Sequence, residues 1–156
     1  MNIFFDQLFP IMPVLDRHMY LDSDLLEGDA PLTSGDYSML GAVSALTVVQ
    51  LNLPTSFVQQ DLVSLSPELL VDECLRERRR YDYIEEPDVS TVLTSFFLFG
   101  YYGNVERHNK ARHYLHEAIS FAESIGLDNE VYLSQLPPLQ GQRYRIIFWL
   151  LFITER

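Results

Sequence analysis

The C-terminal stretch Arg143–Arg156, RYRIIFWLLFITER, constrains the fold most, because every residue from Ile146 to Ile153 is apolar. A helix that is apolar on all sides must be buried on all sides. The run is shorter than the roughly 20 apolar residues that a membrane-spanning helix needs. Periodicity alone also permits a buried strand, but charged residues bracket the run and no turn residue interrupts it. We therefore predict a helix at the centre of the fold, with the other elements around it.

Length and composition indicate one soluble, acidic domain. The chain has 156 residues, of which 47% are hydrophobic and 13% aromatic, enough to bury a core. A formal net charge of -11 repels a phosphate backbone, so we expect no direct contact with nucleic acid. Cys74 is the one cysteine, which excludes an internal disulfide and a zinc cluster of several cysteines. No signal peptide is visible in the sequence, and we expect no membrane partner.

The spacing of apolar residues predicts an all-α fold, an irregular bundle of about six helices. The opening segment, Asn2–Asp22, contains two prolines that predict a kink, and a loop rich in Asp, Gly, Pro and Ser follows. The remaining predicted helices are Ser34–Leu51, Ser66–Tyr81, Val89–Tyr102, Val105–Ile125 and Arg143–Arg156. The abrupt end of the chain after its most apolar segment predicts a fragment of a larger helical domain.

Local signals set the ends of these helices. Ser34, Ser66 and Asp88 are predicted N-terminal caps, because short polar side chains accept hydrogen bonds from the first free N–H groups. Gly126 predicts a left-handed stop that lets Leu127 fold back onto the preceding helix. Small residues in the second helix, Gly41, Ala42, Ser44 and Ala45, predict the close approach of another helix. The segment Val89–Tyr102 is apolar on most sides, which makes it a second candidate for the central helix.

A run of basic residues, RERRR, ends the predicted third helix at Arg76–Arg80. Cations are favoured near the C-terminal end of a helix, where the backbone dipole is negative. We interpret the run as a solvated helix end. A nuclear-import patch or an anion contact are the alternatives.

The side chains that carry chemistry in enzymes do not form a catalytic pattern here. His108, His113 and His116 lie with Glu117 opposite the apolar face of their helix, and the spacing matches no common metal motif. Paired carboxylates occur in turns, where solvation explains them. Cys74 falls on an apolar helix face and is interpreted as a core residue. The sequence therefore predicts a protein that is not an enzyme.

Amphipathic aromatic residues are the strongest indication of a ligand site. Rings with hydrogen-bonding groups suit a pocket for a sugar or another small organic molecule. The alternative is that they are core residues whose polar tips reach the surface. The residues concerned are Tyr101, Tyr102, Tyr144 and Trp149, with Arg112 and Arg145 as neighbouring cations.

Three segments, taken in order, carry a resemblance to a known family: VSTVLTSFFLFGYYGN, ARHYLHEAISFAESIGLDNE and RYRIIFWLLFITER. They resemble the regulatory "middle homology" domain of fungal zinc-cluster transcription factors. The opening FFDQLFPIMPVLDR is also similar to the usual start of that domain. VLTSFFLF and WLLFITER are most similar to regulators of starch and maltose or of xylan and cellulose use. The matching positions are Tyr114, Ala118, Ile119, Ala122, Gly126, Leu127, Arg143, Arg145, Trp149 and Arg156.

The resemblance implies an inducer-responsive domain of a nuclear transcriptional activator that controls genes for carbohydrate-degrading enzymes. A small sugar is the expected inducer, and Tyr101, Arg112, Tyr144 and Trp149 are the candidate ligand-binding residues. The six-cysteine DNA-binding cluster of the family is absent from this sequence. Zinc is therefore expected only in the DNA-binding cluster of the parent protein, and no cofactor is expected in this chain. The alternative is an interaction or dimerisation module without a small-molecule ligand, which self-associates or binds a corepressor or coactivator.

Overall fold

A computed structural model of the chain describes residues 3–8, 13–15, 32–52 and 66–156. Within these residues a five-residue π-helical turn, Phe4–Leu8, precedes six α helices. The helices are α1 (Ser34–Gln50), α2 (Pro67–Arg78), α3 (Val89–Asn104), α4 (His108–Ser124), α5 (Glu130–Gln135) and α6 (Pro138–Glu155). The described residues contain no strand, which confirms the all-α prediction. Most of the predicted opening segment and its loop lie outside the described residues.

Helix α3 lies at the centre of the described fold. It corresponds to Val89–Tyr102, the second segment that was predicted to be a central helix. It packs against α1 on one side and α4 on the other. Ten of its sixteen residues are buried, including Phe97, which is fully covered. The Phe97 ring meets the Phe4 ring edge-on, with 6.0 Å between the centroids. The aromatic side chains of α3 therefore connect the π-helical turn to the core.

The C-terminal helix is not central, and the prediction that placed it there was wrong. Only Gly141, Ile147 and Leu151 of α6 are buried, whereas Trp149 and Ile153 are 56% and 69% exposed. In the described residues α6 packs mainly against α4 and α5. An apolar run makes burial on all sides favourable, but burial requires neighbours on all sides. The described elements cover one face of α6 and leave the other open.

Capping residues confirm two predicted helix starts and correct a third. Ser66 and Asp88 accept hydrogen bonds from the N–H groups of Leu69 and Thr91, at 3.3 Å and 2.7 Å. Helix α1 is capped by Thr33 instead of Ser34. The reason is a reciprocal pair in which the Thr33 Oγ1 accepts from the Asp36 N–H and the Asp36 carboxylate accepts from the Thr33 N–H.

The end of α4 follows the sequence prediction. Gly126 has a φ of +77°, and the Leu127 N–H donates to the Ala122 carbonyl at 2.9 Å. Leu127 is fully buried by this reversal. The start of α4 is later than predicted, at His108, because Glu106 has a left-handed φ of +59° that interrupts the helix after α3.

Helices α1 and α2 approach closely at Gly41, as the small residues of α1 predict. A Cβ atom at Gly41 would lie 3.1 Å from the Cys74 Cβ and 3.2 Å from the Leu70 carbonyl oxygen. The Ser38 hydroxyl donates to the Cys74 carbonyl at 3.1 Å across the same contact. The absence of a side chain at Gly41 is therefore what allows the two backbones to meet.

A larger side chain at this contact should destabilise the fold. We expect Gly41→Val to lower the free energy of unfolding by about 1–3 kcal/mol, the usual cost of overpacking. The matched control is Gly103→Val, because nothing lies within 4 Å of a Cβ at Gly103. Urea denaturation of the two variants provides the comparison. Equal losses of stability would show that helix propensity, and not the α1–α2 contact, decides the outcome.

Candidate functional site

A cleft of about 430 Å³ opens between α2 and the junction of α3 with α4, and we name it the α2–α3 cleft. Its walls carry charges of both signs and two tyrosines. The lining residues are Glu68, Val71, Asp72, Tyr101, Tyr102, Val105, Arg107 and Lys110. Tyr101, one of the predicted ligand-binding residues, lies in this cleft.

The backbone brings the two charged walls of the cleft to face each other. Glu68 and Asp72 are four residues apart on α2, so their carboxylates share a helix face. On the opposite side, the left-handed Glu106 turns the chain between α3 and α4. The Arg107 N–H then donates to the Tyr102 carbonyl at 2.8 Å, which fixes the start of α4 beside the cleft.

The charged groups of the cleft are free to contact a ligand. No ion pair joins Glu68 or Asp72 to Arg107 or Lys110 in the part of the chain that the structure describes. The Lys110 ammonium instead lies 4.8 Å from the centre of the Tyr102 ring. The cleft therefore offers hydrogen-bond acceptors on one wall and donors on the other, a combination that complements a polyhydroxylated molecule.

The tyrosines form an ordered aromatic wall. The Tyr101 and Tyr102 rings meet edge-to-face at 5.1 Å, and the Tyr102 ring stacks on Tyr114 at 5.4 Å. Burial, with the negative charges of Glu68 and Asp72 nearby, raises the pKa of Tyr101 above its usual value. The Tyr101 hydroxyl therefore stays protonated at neutral pH, so it can both donate and accept a hydrogen bond.

Alkaline pH should weaken the fold through these tyrosines. Burial raises the pKa of Tyr114 to about 12, and that of Tyr101 is also raised. The unfolded chain then loses these protons at lower pH than the folded chain, so the stabilisation is complete below about pH 10 and declines between about pH 10 and 12. Urea denaturation at several pH values measures this decline in the free energy of unfolding. The decline should be shallower in Tyr114→Phe, and an equally steep decline in that variant would contradict the role of Tyr114.

The other three predicted residues lie elsewhere on the described surface. Arg112 is exposed on α4. Tyr144 is partly buried on α6, where its hydroxyl accepts a hydrogen bond from Gln140 at 3.0 Å. Trp149 is exposed on α6 and meets the Phe152 ring edge-on at 5.5 Å. Among the described residues, no hydrogen bond or ring contact joins any two of the four predicted side chains, and their ligand binding stays a prediction.

The sequence did not single out the charged residues of the cleft. Glu68 follows the predicted cap Ser66 as an acid in the first helical turn, and Asp72, Arg107 and Lys110 have the pattern of ordinary surface charges. The one local signal is the four-residue spacing of Glu68 and Asp72. Opposite charges meet here only because α2 packs beside the α3–α4 junction, which the local sequence pattern does not specify.

A buried ion pair outside the lining of the cleft corrects the interpretation of the basic run. Arg78 is 2% exposed, whereas Arg76, Arg79 and Arg80 are exposed as predicted. The Arg78 guanidinium donates from Nη1 to Glu117 at 2.8 Å and from Nη2 to the Ser95 hydroxyl at 2.7 Å. The predicted solvated end was thus wrong for Arg78, because a carboxylate from α4 reaches it.

Three helices are joined by this group of side chains, which we name the Arg78 network: Arg78 on α2, Ser95 on α3 and Glu117 on α4. The Ser95 hydroxyl accepts from Arg78 and donates to Glu117 at 2.7 Å, so all three side chains are mutually bonded. The guanidinium also lies 4.1 Å from the centre of the Tyr83 ring. Glu117 had been predicted on a solvated face. It is only 18% exposed because it pairs with Arg78.

Metal-binding and thiol groups in the described residues have ordinary structural positions. His108, His113 and His116 are exposed, and no group of three His, Cys, Asp or Glu side chains within residues 3–8, 13–15, 32–52 and 66–156 could hold a metal ion. Cys74 is buried, as predicted, and burial raises the pKa of its thiol. No helix in the described ranges has the length and apolar character needed to span a membrane.

Comparison with known proteins gives a consistent result over the whole chain. The family model for the fungal specific transcription factor domain matches residues 1–156. A probable sucrose utilization protein of Candida albicans is 30% identical over 154 residues, which cover 96% of this chain and 28% of that protein. A maltose fermentation regulatory protein of Saccharomyces cerevisiae is 26% identical over 156 residues, which cover 100% of this chain and 32% of that protein.

The chain thus spans about a third or less of the length of these relatives. No solved structure gives a significant match. The family consists of transcription regulators, which are generally nuclear and generally not enzymes, and both relatives are named for the use of a sugar. Because the family model covers every residue, the chain belongs to the family of fungal specific transcription factor domains.

Proposed function

We propose that this domain makes a nuclear transcriptional activator responsive to a small sugar and so controls genes for carbohydrate-degrading enzymes. The observation that carries the proposal is the alignment of at least 96% of the chain with two proteins named for sucrose utilization and maltose fermentation. If a response of those proteins to sugar depends on the aligned region, this domain would have the corresponding response. The domain itself would act without a cofactor.

The α2–α3 cleft is the site that suits such a ligand best. Its volume of about 430 Å³ falls within the range of roughly 300–1,000 Å³ typical of small-molecule sites. Each sugar hydroxyl can donate to Glu68 or Asp72 and accept from Arg107 or Lys110. The Tyr101 hydroxyl adds a group that does both.

A ligand in this cleft would connect α2 to the start of α4. It would therefore favour the packing in which these two helices are held at the observed separation. A ligand shifts such an equilibrium only by the difference in its affinity for the two packings. The Arg78 network also joins α2 to α4, through residues that do not line the cleft. We propose that a sugar strengthens this arrangement and thereby changes the surface that the activator presents.

A reporter assay with the full-length activator tests the proposal in cells. We expect Glu68→Gln with Asp72→Asn to raise the sugar concentration for half-maximal induction by about tenfold, the equivalent of about 1.4 kcal/mol of binding energy. Glu85→Gln with Glu86→Gln is the matched control, because these exposed residues in the α2–α3 turn carry the same charge. Immunoblotting checks that all variants accumulate equally. Unchanged induction in the cleft variant would contradict a site in the cleft.

A second candidate function is an interaction module without a small-molecule ligand. The observation that favours it is the exposed apolar face of α6, where Leu139, Trp149 and Ile153 are all more than half exposed. Under this alternative, self-association or binding of a corepressor or coactivator would regulate the activator. The reporter would then respond to changes on α6 and remain unaffected by changes in the cleft.

A further inference from the structure

A second cavity, of about 330 Å³, lies between α4 and α6, and we name it the α4–α6 groove. Its floor is apolar and includes Ile119 from α4 with Phe148 and Phe152 from α6. The two phenylalanine rings are stacked one helical turn apart, with 6.4 Å between their centroids. The groove is therefore an ordered aromatic surface on the side of the fold where α6 is only partly covered.

The rim of the α4–α6 groove is negatively charged. Glu123 and Asp128 line it beside the end of α4, and Glu155 lines it at the end of α6. All three are exposed, and none forms an ion pair within the described ranges. The residues that line the groove include no cation, although the Arg156 guanidinium lies over the ring of one of them, Phe152. Three unpaired carboxylates around an apolar floor define the charge that an occupant must complement.

We propose that the α4–α6 groove binds a basic amphipathic helix of a partner protein. Such a helix places an apolar stripe on the floor of a groove, and its flanking Lys and Arg side chains can pair with the carboxylates of the rim. A guanidinium is already accommodated here, because the Arg156 side chain lies 4.4 Å from the centre of the Phe152 ring. This contact is the kind that a partner arginine can make with an aromatic floor.

Charge argues against a second copy of this chain as the occupant. The chain carries a formal net charge of -11, and a symmetric pairing through the groove would place two carboxylate rims against each other. Like charges brought together at an interface disfavour association. The same acidic rim repels nucleic acid and anionic membranes.

The dimensions of the groove set the length of the partner segment. Its α6 wall extends from Phe148 to Glu155, which corresponds to roughly 10–12 Å along the helix axis. About two turns of a partner helix match that length. Trp149 extends the apolar surface beyond the groove, because its ring contacts both Phe148 and Phe152. The inference is independent of sugar binding, since the groove and the α2–α3 cleft share no lining residue.

A designed peptide tests the proposal directly. The probe is a fluorescent helical peptide of about 15 residues with a leucine stripe flanked by lysines, long enough to sample a helix in water. Fluorescence anisotropy measures its affinity for the 156-residue chain. Trp149 is the one tryptophan of the sequence, so its own emission reports binding next to the groove. We expect saturable one-to-one binding that weakens as salt concentration rises.

Charge reversal provides the matched comparison. We expect the triple variant Glu123→Lys, Asp128→Lys and Glu155→Lys to bind the lysine peptide at least tenfold more weakly than the natural chain does. A glutamate-flanked peptide should bind the triple variant more tightly than it binds the natural chain. The control reverses three exposed carboxylates of the α2–α3 turn, Asp82, Glu85 and Glu86, and therefore has the same net charge. Its affinity for the lysine peptide should stay within about twofold of the natural value.

Four results would overturn the proposal. The first is equal weakening in the control, which would indicate a general effect of net charge. The second is equal affinity for peptides of either charge, and the third is a dimer that forms through the groove in sedimentation experiments. The fourth is binding to the 156-residue chain that disappears in a longer form of the protein, which would assign the groove to a segment of the same polypeptide.

Discussion

Replacing Arg78 by alanine should lower the free energy of unfolding by about 3 kcal/mol. Removal of one partner of a buried ion pair typically costs about 3–5 kcal/mol, because the remaining charge loses its partner. The lower end applies here, since the side chain of Glu117 remains 18% exposed and recovers some solvation. The loss also removes the hydrogen bond to Ser95 and the contact with the Tyr83 ring. Urea denaturation followed by circular dichroism measures the effect.

The neighbouring Arg80 provides the control for this prediction. Its side chain is 65% exposed. Glu77, the carboxylate that it pairs with, is only 11% exposed but also lies 4.0 Å from Arg76, so Arg80→Ala should cost about 1 kcal/mol or less. A double variant, Arg78→Met with Glu117→Met, should recover much of the lost stability, because it leaves no unpaired buried charge. Equal effects at Arg78 and Arg80 would contradict the buried network and restore the solvated-end interpretation of the basic run.

Phe97→Ala should destabilise the fold by about 3–5 kcal/mol, the usual cost of deleting a buried aromatic side chain. Phe97 is fully buried in α3, where its ring contacts those of Phe4 and Phe96. The comparison is Trp149→Ala in α6, which should cost less than about 1 kcal/mol because more than half of Trp149 is exposed. Urea denaturation of both variants decides which helix is central. A larger loss at Trp149 would place α6 in the core.

The helix positions could be predicted because they depend on residues close together in sequence. The Asp88 cap accepts from an N–H three residues later, and the Gly126 reversal involves only the last turn of α4. These contacts form within one or two turns, so the local pattern contains most of the information that they need. The same reasoning succeeded at Gly41, where small side chains indicate a close helix contact.

The remaining features depend on which helices become neighbours. Arg78 is buried because Glu117, 39 residues away, reaches it from α4. The RERRR pattern contains nothing that distinguishes Arg78 from the exposed arginines beside it. The apolar run of α6 similarly indicates a preference for burial without indicating which elements cover it. In both cases the outcome depends on a tertiary contact, which local periodicity does not predict.

The candidate site was predicted in part for the same reason. Tyr101 was selected for its aromatic ring and hydroxyl, and it lines the α2–α3 cleft. Glu68 and Lys110 belong to different helices, and each alone has the pattern of a solvated surface charge. Their combination becomes visible only when α2 lies beside the α3–α4 junction. Sequence patterns thus selected Tyr101 of the aromatic wall and left both charged walls undetected.

Direct measurement of sugar binding tests the central claim. Thermal unfolding of the purified chain would be followed with maltose, isomaltose, sucrose, xylose, xylobiose and cellobiose. We predict that one sugar class raises the melting temperature, because a ligand at 100 times its dissociation constant stabilises a fold by about 2.7 kcal/mol. At the same sugar concentration, Glu68→Gln with Asp72→Asn should reduce that stabilisation to about 1.4 kcal/mol, because a tenfold weaker site is then exposed to about ten times its dissociation constant. Glu85→Gln with Glu86→Gln should retain the full shift. Cooperative unfolding that no sugar alters would contradict the claim that this domain binds the sugar.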